Sequence, residues 1–96
     1  MNKFDLSNRV AIVTGGAQGF GFAISERFIR SGAKVIIWDI DKNAAKEAIE
    51  KLNSKECSYQ LVDVTNFDEI NKSLNDIEKK FGKIDIFINN AGITGK

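Results

Sequence analysis

Val10-Ala11-Ile12-Val13-Thr14-Gly15-Gly16-Ala17-Gln18-Gly19-Phe20-Gly21 is the stretch that decides the fold of this chain. It opens continuously apolar, as a strand buried on both faces of a sheet must be. Gly15, Gly19 and Gly21 then space a turn that leads into a helix-like pattern. Backbone at such a turn can come close to a bulky anion. The N–H groups at a helix start, with the positive end of its dipole, suit a phosphate. A glycine-spaced turn alone is a weak signal, and its weight comes from the context on both sides.

Downstream, helix and strand patterns alternate. Gly19–Ser31 reads as a helix with Phe20, Ile24 and Phe28 on one face and Gly32 as its stop. Lys34–Asp39 reads as a second strand. Asp41 can cap a second helix whose apolar stripe is Ala45, Ala48, Ile49 and Leu52. Ser58–Val62 is a third strand. Asn66 and Glu69 have the spacing of a capping box for a third helix, which packs through Ile70, Leu74, Ile77 and Phe81 and closes at Gly82. Ile84–Ile88 is a fourth strand, ending in Asn89-Asn90-Ala91-Gly92.

This β-α-β-α-β-α-β order predicts an α/β fold, a Rossmann-type parallel sheet with crossover helices and strand order 3-2-1-4, the N-terminal half of a doubly wound fold. Right-handed crossovers put the first two helices on one face and the third on the other. The order reverses between strands 1 and 4, so a ligand belongs in the crevice at their carboxyl ends. Both the glycine turn and the Asn-Asn-Ala-Gly segment lie there.

Composition narrows the function. The chain has 96 residues, one small domain at most, and it is 43% hydrophobic with a net charge of +1. Such a chain buries about 60–65% of its unfolded surface. No basic cluster makes a case for nucleic acid. The apolar runs are of strand length, so no membrane span is expected. Residues 1–9 are polar, so no signal peptide is expected and a cytoplasmic location is. The lone cysteine, Cys57, excludes an internal disulfide and a cysteine-cluster metal site, and it reads as a small buried or half-buried hydrophobe and not a reactive thiol. Histidine is absent, which removes Ser-His-Asp and Cys-His nucleophiles and histidine-ligated zinc. No metal site is expected.

Asp39 ends the second strand eighteen positions after Gly21. In a dinucleotide fold an acid there accepts hydrogen bonds from the adenosine ribose hydroxyls, or else it is a solvated turn residue. Its charge would repel a 2′-phosphate, and Gln18 in the glycine turn supplies no compensating base. This favours NAD, with NADP less expected. Asp63-Val64 follows the third strand, where the adenine ring would lie; alternatively Asp63 simply forms the turn into the third helix. Asn89 and Asn90 suit a tight backbone passage beside a ligand, or an ordinary turn. Trp38, by alternation, faces away from Asp39. Phe20, Phe22, Phe28, Phe67, Phe81 and Phe87 are expected mostly in core stripes.

Taken together, Thr14-Gly15-x-x-x-Gly19-x-Gly21, Asp39, Asp63-Val64 and Asn89-Asn90-Ala91-Gly92 resemble the short-chain dehydrogenase/reductase family. Arg9–Gly15 and Ile84–Thr94 look like its 3-oxoacyl-(acyl-carrier-protein) reductase branch, and the resemblance covers essentially the whole chain. It implies that Gly15, Gln18, Gly19, Phe20 and Gly21 wrap the pyrophosphate and adenosine of a nicotinamide dinucleotide. It further implies that Asp39 holds the ribose, Asp63 and Val64 the adenine, and Asn90, Ala91 and Gly92 the region between ribose and nicotinamide. Phe20 departs from the family's usual small aliphatic residue.

Members of the family use a Ser and a Tyr-x-x-x-Lys pair in their second half to act on a secondary alcohol or carbonyl, and they are usually homo-oligomers. Here the single tyrosine, Tyr59, has Asp63 four residues on, so no catalytic residue carries over. The expectation is therefore an NAD(P)-binding Rossmann domain over residues 1–96, incomplete and without the catalytic half. It would hold the cofactor of a short-chain oxidoreductase and be inactive by itself. A stand-alone nucleotide-binding module, a non-functional truncated fragment and a methyltransferase are the alternatives. The glycine spacing and Asn-Asn-Ala-Gly argue against the last.

Overall fold

The fold is described from a computed structural model, over residues 5–90. The elements run β1 (Val10–Thr14), α1 (Gly19–Arg30), β2 (Lys34–Asp39), α2 (Lys42–Leu52), β3 (Cys57–Leu61), α3 (Phe67–Phe81) and β4 (Ile86–Asn89). The four strands form one parallel sheet in the order β3-β2-β1-β4, as the crossover argument requires. Val10–Thr14 align with Lys34–Trp38 on one side, and Ala11–Thr14 with Ile86–Asn89 on the other.

The central strand is apolar up to its last residue, Thr14, because both its faces are covered. Ala11, Val13, Val35 and Ile37 point to the α1 and α2 side, where Ile24, Phe28, Ile49 and Leu52 pack on them. Val10, Ile12, Ile36 and Trp38 point to the α3 side and meet Ile70, Leu74, Ile77 and Phe81. Two helices on one face and one on the other is the arrangement that right-handed crossovers dictate. Trp38 is buried on the α3 face, as expected, with its indole N–H donating to Gln60 Oε1 at 2.8 Å and its ring edge-on to Phe87 at 5.5 Å.

Three expectations need correction. Phe20, Phe67 and Phe87 are 79%, 74% and 48% exposed, so half of the phenylalanines assigned to core stripes are outside the core. Phe20 and Phe67 each stand in the first turn of a helix, where the chain has only begun to lie over the sheet. The packed side of α1 is instead carried by Gly21 and Ser25, both buried, with Ile24 and Phe28 alongside. The capping box of α3 is only half formed: Asn66 Oδ1 accepts from Glu69 N at 3.1 Å, but the Glu69 carboxylate reaches Asp63 N. The strand bounds also move, with β3 starting at Cys57 and β4 at Ile86, because register begins where Val35 and Ala11 offer partners.

Helix ends follow the local chemistry. Asp41 caps α2 by accepting from Ala44 N at 3.0 Å, and Asn53 closes it in the left-handed conformation at φ 47°. Cys57 is buried in the α1/α2-side core, where loss of hydration pushes its thiol up to about 11.

At the amino end of the sheet, Asp85 ties β1 to β4. Its Oδ2 accepts from Val10 N at 2.8 Å, and Lys83 and Arg9 approach the same carboxylate at 3.2 and 3.7 Å. The Val10 N–H foremost, then Lys83 and Arg9, hold the Asp85 carboxyl below the ordinary 3.8. A depressed native value makes this stabilisation complete above the unfolded-state pKa and lost as pH falls through the native one. Asp85→Asn should therefore lower Tm most at neutral pH, and its difference from the wild type should shrink below about pH 4. Melting curves across that range check this, and a difference that grows in acid would contradict it.

Candidate functional site

The carboxyl ends of β1 and β4 meet at Thr14, whose side chain is fully buried. Its hydroxyl lies 3.2 Å from both Ile88 O and Asn89 Oδ1 as acceptors, and it accepts from Asn90 N at 2.8 Å. Thus the residue that ends the first strand fixes the segment that ends the fourth. Gly15 follows with φ 63°, its N–H donating to Trp38 O at 2.7 Å, so the glycine turn is tied to β2 as well.

The turn then folds back on itself. A Cβ on Gly21 would collide with the Gly15 carbonyl and stand 2.8 Å from Asn90 Nδ2, so only glycine allows this approach. Asn90 is buried and donates through Nδ2 to Gly15 O at 3.4 Å. Gly15, Gly21 and Asn90, singled out separately in the sequence, are one packed unit. Gly19 differs: at φ 56° it faces open space, with no described atom within 4 Å of a built Cβ.

The three helices begin differently. Asp41 caps α2, while α3 has Asn66 as its cap and Asp68 and Glu69 in its first turn. At α1 the Gln18 side chain caps nothing, and the first turn contains no acid. The N–H groups at an uncapped helix start have no intrahelical acceptor and carry the positive end of the dipole. In α1 that end lies in the crevice, beside Gly19.

Asp39 is half-buried at the end of β2. Its Oδ2 accepts from Ala17 N at 3.3 Å and its Oδ1 from Asp41 N at 3.0 Å, so the carboxylate braces the glycine turn it faces. Asp63 forms the turn foreseen for it: Oδ1 accepts from Thr65 Oγ1 at 2.6 Å and from Thr65 N at 2.9 Å. These bonds, the hydroxyl's first, hold its carboxyl below the ordinary range. Val64 is half-buried against the α3-side core. Gln18 and Phe20 are exposed at the start of α1. Ala91 and Gly92 lie outside the described residues.

Two features escaped the sequence reading. Ser25, fully buried, donates to Gly21 O at 2.9 Å and lies 3.4 Å from Gly16 O, backing the glycine turn from the helix side. A serine on the packed side of an apolar helix was the available signal. Second, among the described residues Phe20, Ile40, Leu61 and Phe67 make up four of the five exposed large apolar side chains, the fifth being Phe87. All four stand where a strand ends or a helix begins at the crevice end of the sheet. Exposed apolar surface gathered at a crevice marks a place where a ligand can be covered. Among the described residues no group of His, Cys, Asp and Glu could hold a metal ion, and no helix is long and apolar enough to cross a membrane.

The donors and acceptors here suit an anionic, hydroxyl-bearing ligand. An uncapped helix start offers N–H groups, Gly19 leaves room above them, and Asp39 presents a carboxylate across the turn.

Comparison with known proteins agrees. The family model described as short chain dehydrogenase matches residues 9–96. The chain is 42% identical over 92 residues to the 3-oxoacyl-(acyl-carrier-protein) reductase FabG of Chlamydia muridarum, covering 93% of this chain and 37% of that protein. It is 41% identical over 95 residues to a probable NADP-dependent mannitol dehydrogenase of Yarrowia lipolytica, covering 97% of this chain and 34% of that one. Among solved structures, the 3-ketoacyl-(acyl-carrier-protein) reductase of Brucella melitensis complexed with NADH superposes with a TM-score of 0.80 at 31% identity, covering 86% of this chain and 34% of that chain. The chain thus spans about a third of the length of the curated relatives it matches.

The glycine geometry predicts unequal substitutions. Gly21→Ala must move a backbone carbonyl and should cost about 3 kcal/mol, the upper end for overpacking. Gly19→Ala, strained but uncrowded, should cost about 1 kcal/mol. Urea unfolding midpoints compare them; equal losses would contradict the close packing of Gly21.

Proposed function

The chain belongs to the short-chain dehydrogenase family, and on that premise we propose that residues 1–96 are the cofactor-binding portion of an NAD-dependent oxidoreductase acting on a secondary alcohol or carbonyl. One observation carries the cofactor reading: the uncapped, acid-free start of α1 opens onto the crevice, with Asp39 facing it across the glycine turn. A bound nicotinamide dinucleotide would supply the hydride acceptor or donor; this chain's residues hold and orient it.

In this reading the first N–H groups of α1, from Gly19, Phe20 and Gly21, meet the pyrophosphate, with the helix dipole favouring its charge. Gly15 and Gln18 complete the turn around it. Asp39 accepts from the adenosine ribose hydroxyls through the lone pairs that Ala17 N and Asp41 N leave on its two oxygens. Asp63 and Val64 flank the adenine. Asn90, Ala91 and Gly92 border the path from ribose to nicotinamide.

Asp39 favours NAD over NADP. A 2′-phosphate would be brought against a carboxylate, and Gln18 brings no positive charge to the turn. A like-charge contact of this kind costs several kcal/mol when desolvated. The Brucella neighbour is complexed with NADH and the Yarrowia relative is named as NADP-dependent, so the relatives do not decide between the two cofactors. The preference accordingly rests on Asp39 and not on kinship.

Proton transfer to the substrate needs a group that these 96 residues do not supply. Tyr59 is held in β3, half-buried against the α1/α2-side core, and no lysine follows it at the required spacing. The chain as given should bind a dinucleotide without turning over an alcohol or ketone.

Quenching of Trp38 emission on titration with NADH and NADPH tests the proposal. NADH should bind at least about tenfold more tightly, a difference of about 1.4 kcal/mol, and Asp39→Ser should narrow the gap. Equal or tighter NADPH binding would overturn the role given to Asp39. Failure of both to bind would overturn the cofactor reading.

A further inference from the structure

The Glu69 side chain has left the partner that its position in a capping box predicts. Such a glutamate reaches back to the backbone N–H of its own N-cap. Here the N-cap is Asn66, and its N–H donates instead to Asp63 O at 2.9 Å. Glu69 Oε1 reaches further back and accepts from Asp63 N at 2.9 Å. Asp63 is therefore gripped at its N–H by Glu69, at its C=O by Asn66, and at its carboxylate by Thr65.

That grip fixes one wall of the crevice. Val62 N donates to Asp39 O at 3.1 Å, so the chain leaving β3 is tied to the end of β2 immediately before Asp63. Beyond that point strand pairing stops, and the Asp63 N–H has no neighbouring strand to bond. Glu69 satisfies it from the first turn of α3, where a negative charge is also favoured by the helix dipole. The Asp63 Oδ1 is occupied twice by Thr65, which leaves Oδ2 as the oxygen to meet a donor in the crevice. Without Glu69, the turn loses the bond that fixes the peptide entering it.

We infer that Glu69 is a positioning residue for the adenine end of the dinucleotide, acting through the Asp63 N–H to hold Asp63 and Val64 where they can flank the base. This rests on the cofactor reading given above. It assigns Glu69 no contact with the ligand. The residue works by removing motion from one that has such a contact, and a neutral acceptor of the same length would serve.

The test compares two halves of the dinucleotide, 5′-AMP and nicotinamide mononucleotide, by calorimetric titration of the full chain. Glu69→Ala should weaken 5′-AMP by about threefold to tenfold, the range expected for one hydrogen bond, and leave the mononucleotide unchanged. Glu69→Gln retains an acceptor and should restore 5′-AMP binding to within about twofold. Asp68→Ala serves as the structural control: it removes the other acid in the first turn of α3 and should lower Tm without weakening 5′-AMP. Wild-type affinity for 5′-AMP in Glu69→Ala would overturn the inference while leaving the cofactor site standing. An equal loss in Asp68→Ala would also overturn it, by assigning the effect to the charge and stability of the helix start as a whole. A wild-type chain that binds neither 5′-AMP nor NADH would overturn the cofactor reading, and the inference with it.

Discussion

A single buried hydroxyl, that of Thr14, holds the two halves of the site together. It has one proton to give and lies within reach of two acceptors on β4, while it receives the N–H of Asn90 at 2.8 Å. A polar side chain at the end of an otherwise apolar strand would be expensive to bury without partners. Partners on β4 remove that cost and also set the position of Asn90. Asn90 in turn touches the Gly15 carbonyl, against which Gly21 is packed. The glycine turn is thus braced from β4 through Thr14, from β2 through Trp38 O and Asp39, and from its own helix through Ser25.

The electrostatics of the crevice follow from what each helix does with its first turn. Helices α2 and α3 satisfy their starts with Asp41 and Asn66, and α3 adds two acids. Helix α1 leaves its start without a capping side chain. An anion is the natural complement to that end, and hydroxyl groups are the natural complement to Asp39. Charge at this end of the sheet is therefore divided: the positive pole of the α1 start on one side, and the carboxylates at the ends of β2 and β3 on the other.

The order of elements and the sheet topology were legible in the sequence because each rests on strong local physics. Val10–Val13 and Val35–Trp38 are continuously apolar, Asp41 and Asn66 are effective caps, and right-handed crossovers leave one arrangement of three helices. The meeting of the glycine turn with Asn90 was legible to the extent that the strand order brings the carboxyl ends of β1 and β4 side by side. Other features were hidden. Periodicity placed Phe20 and Phe67 on core stripes, yet a helix's first turn can lie where there is no sheet to cover. The Asn66–Glu69 spacing announced a reciprocal cap, but the preceding turn offered Glu69 an N–H with no strand partner. The tie from Thr14 to Asn90 spans 76 positions, and no local pattern reports a contact of that range.

The central claim is that the glycine turn, the ends of β2 and β3 and Asn90 form one dinucleotide crevice. Its most direct test is amide chemical-shift mapping by two-dimensional NMR on addition of NADH. The account predicts that the largest shifts fall together on the amides of Gly15, Gly19, Phe20, Gly21, Asp39, Asp63 and Asn90, and move along a single binding curve. Shifts centred instead on the cleft between β3 and α3, around Gln60, Asp76 and Lys80, would contradict it.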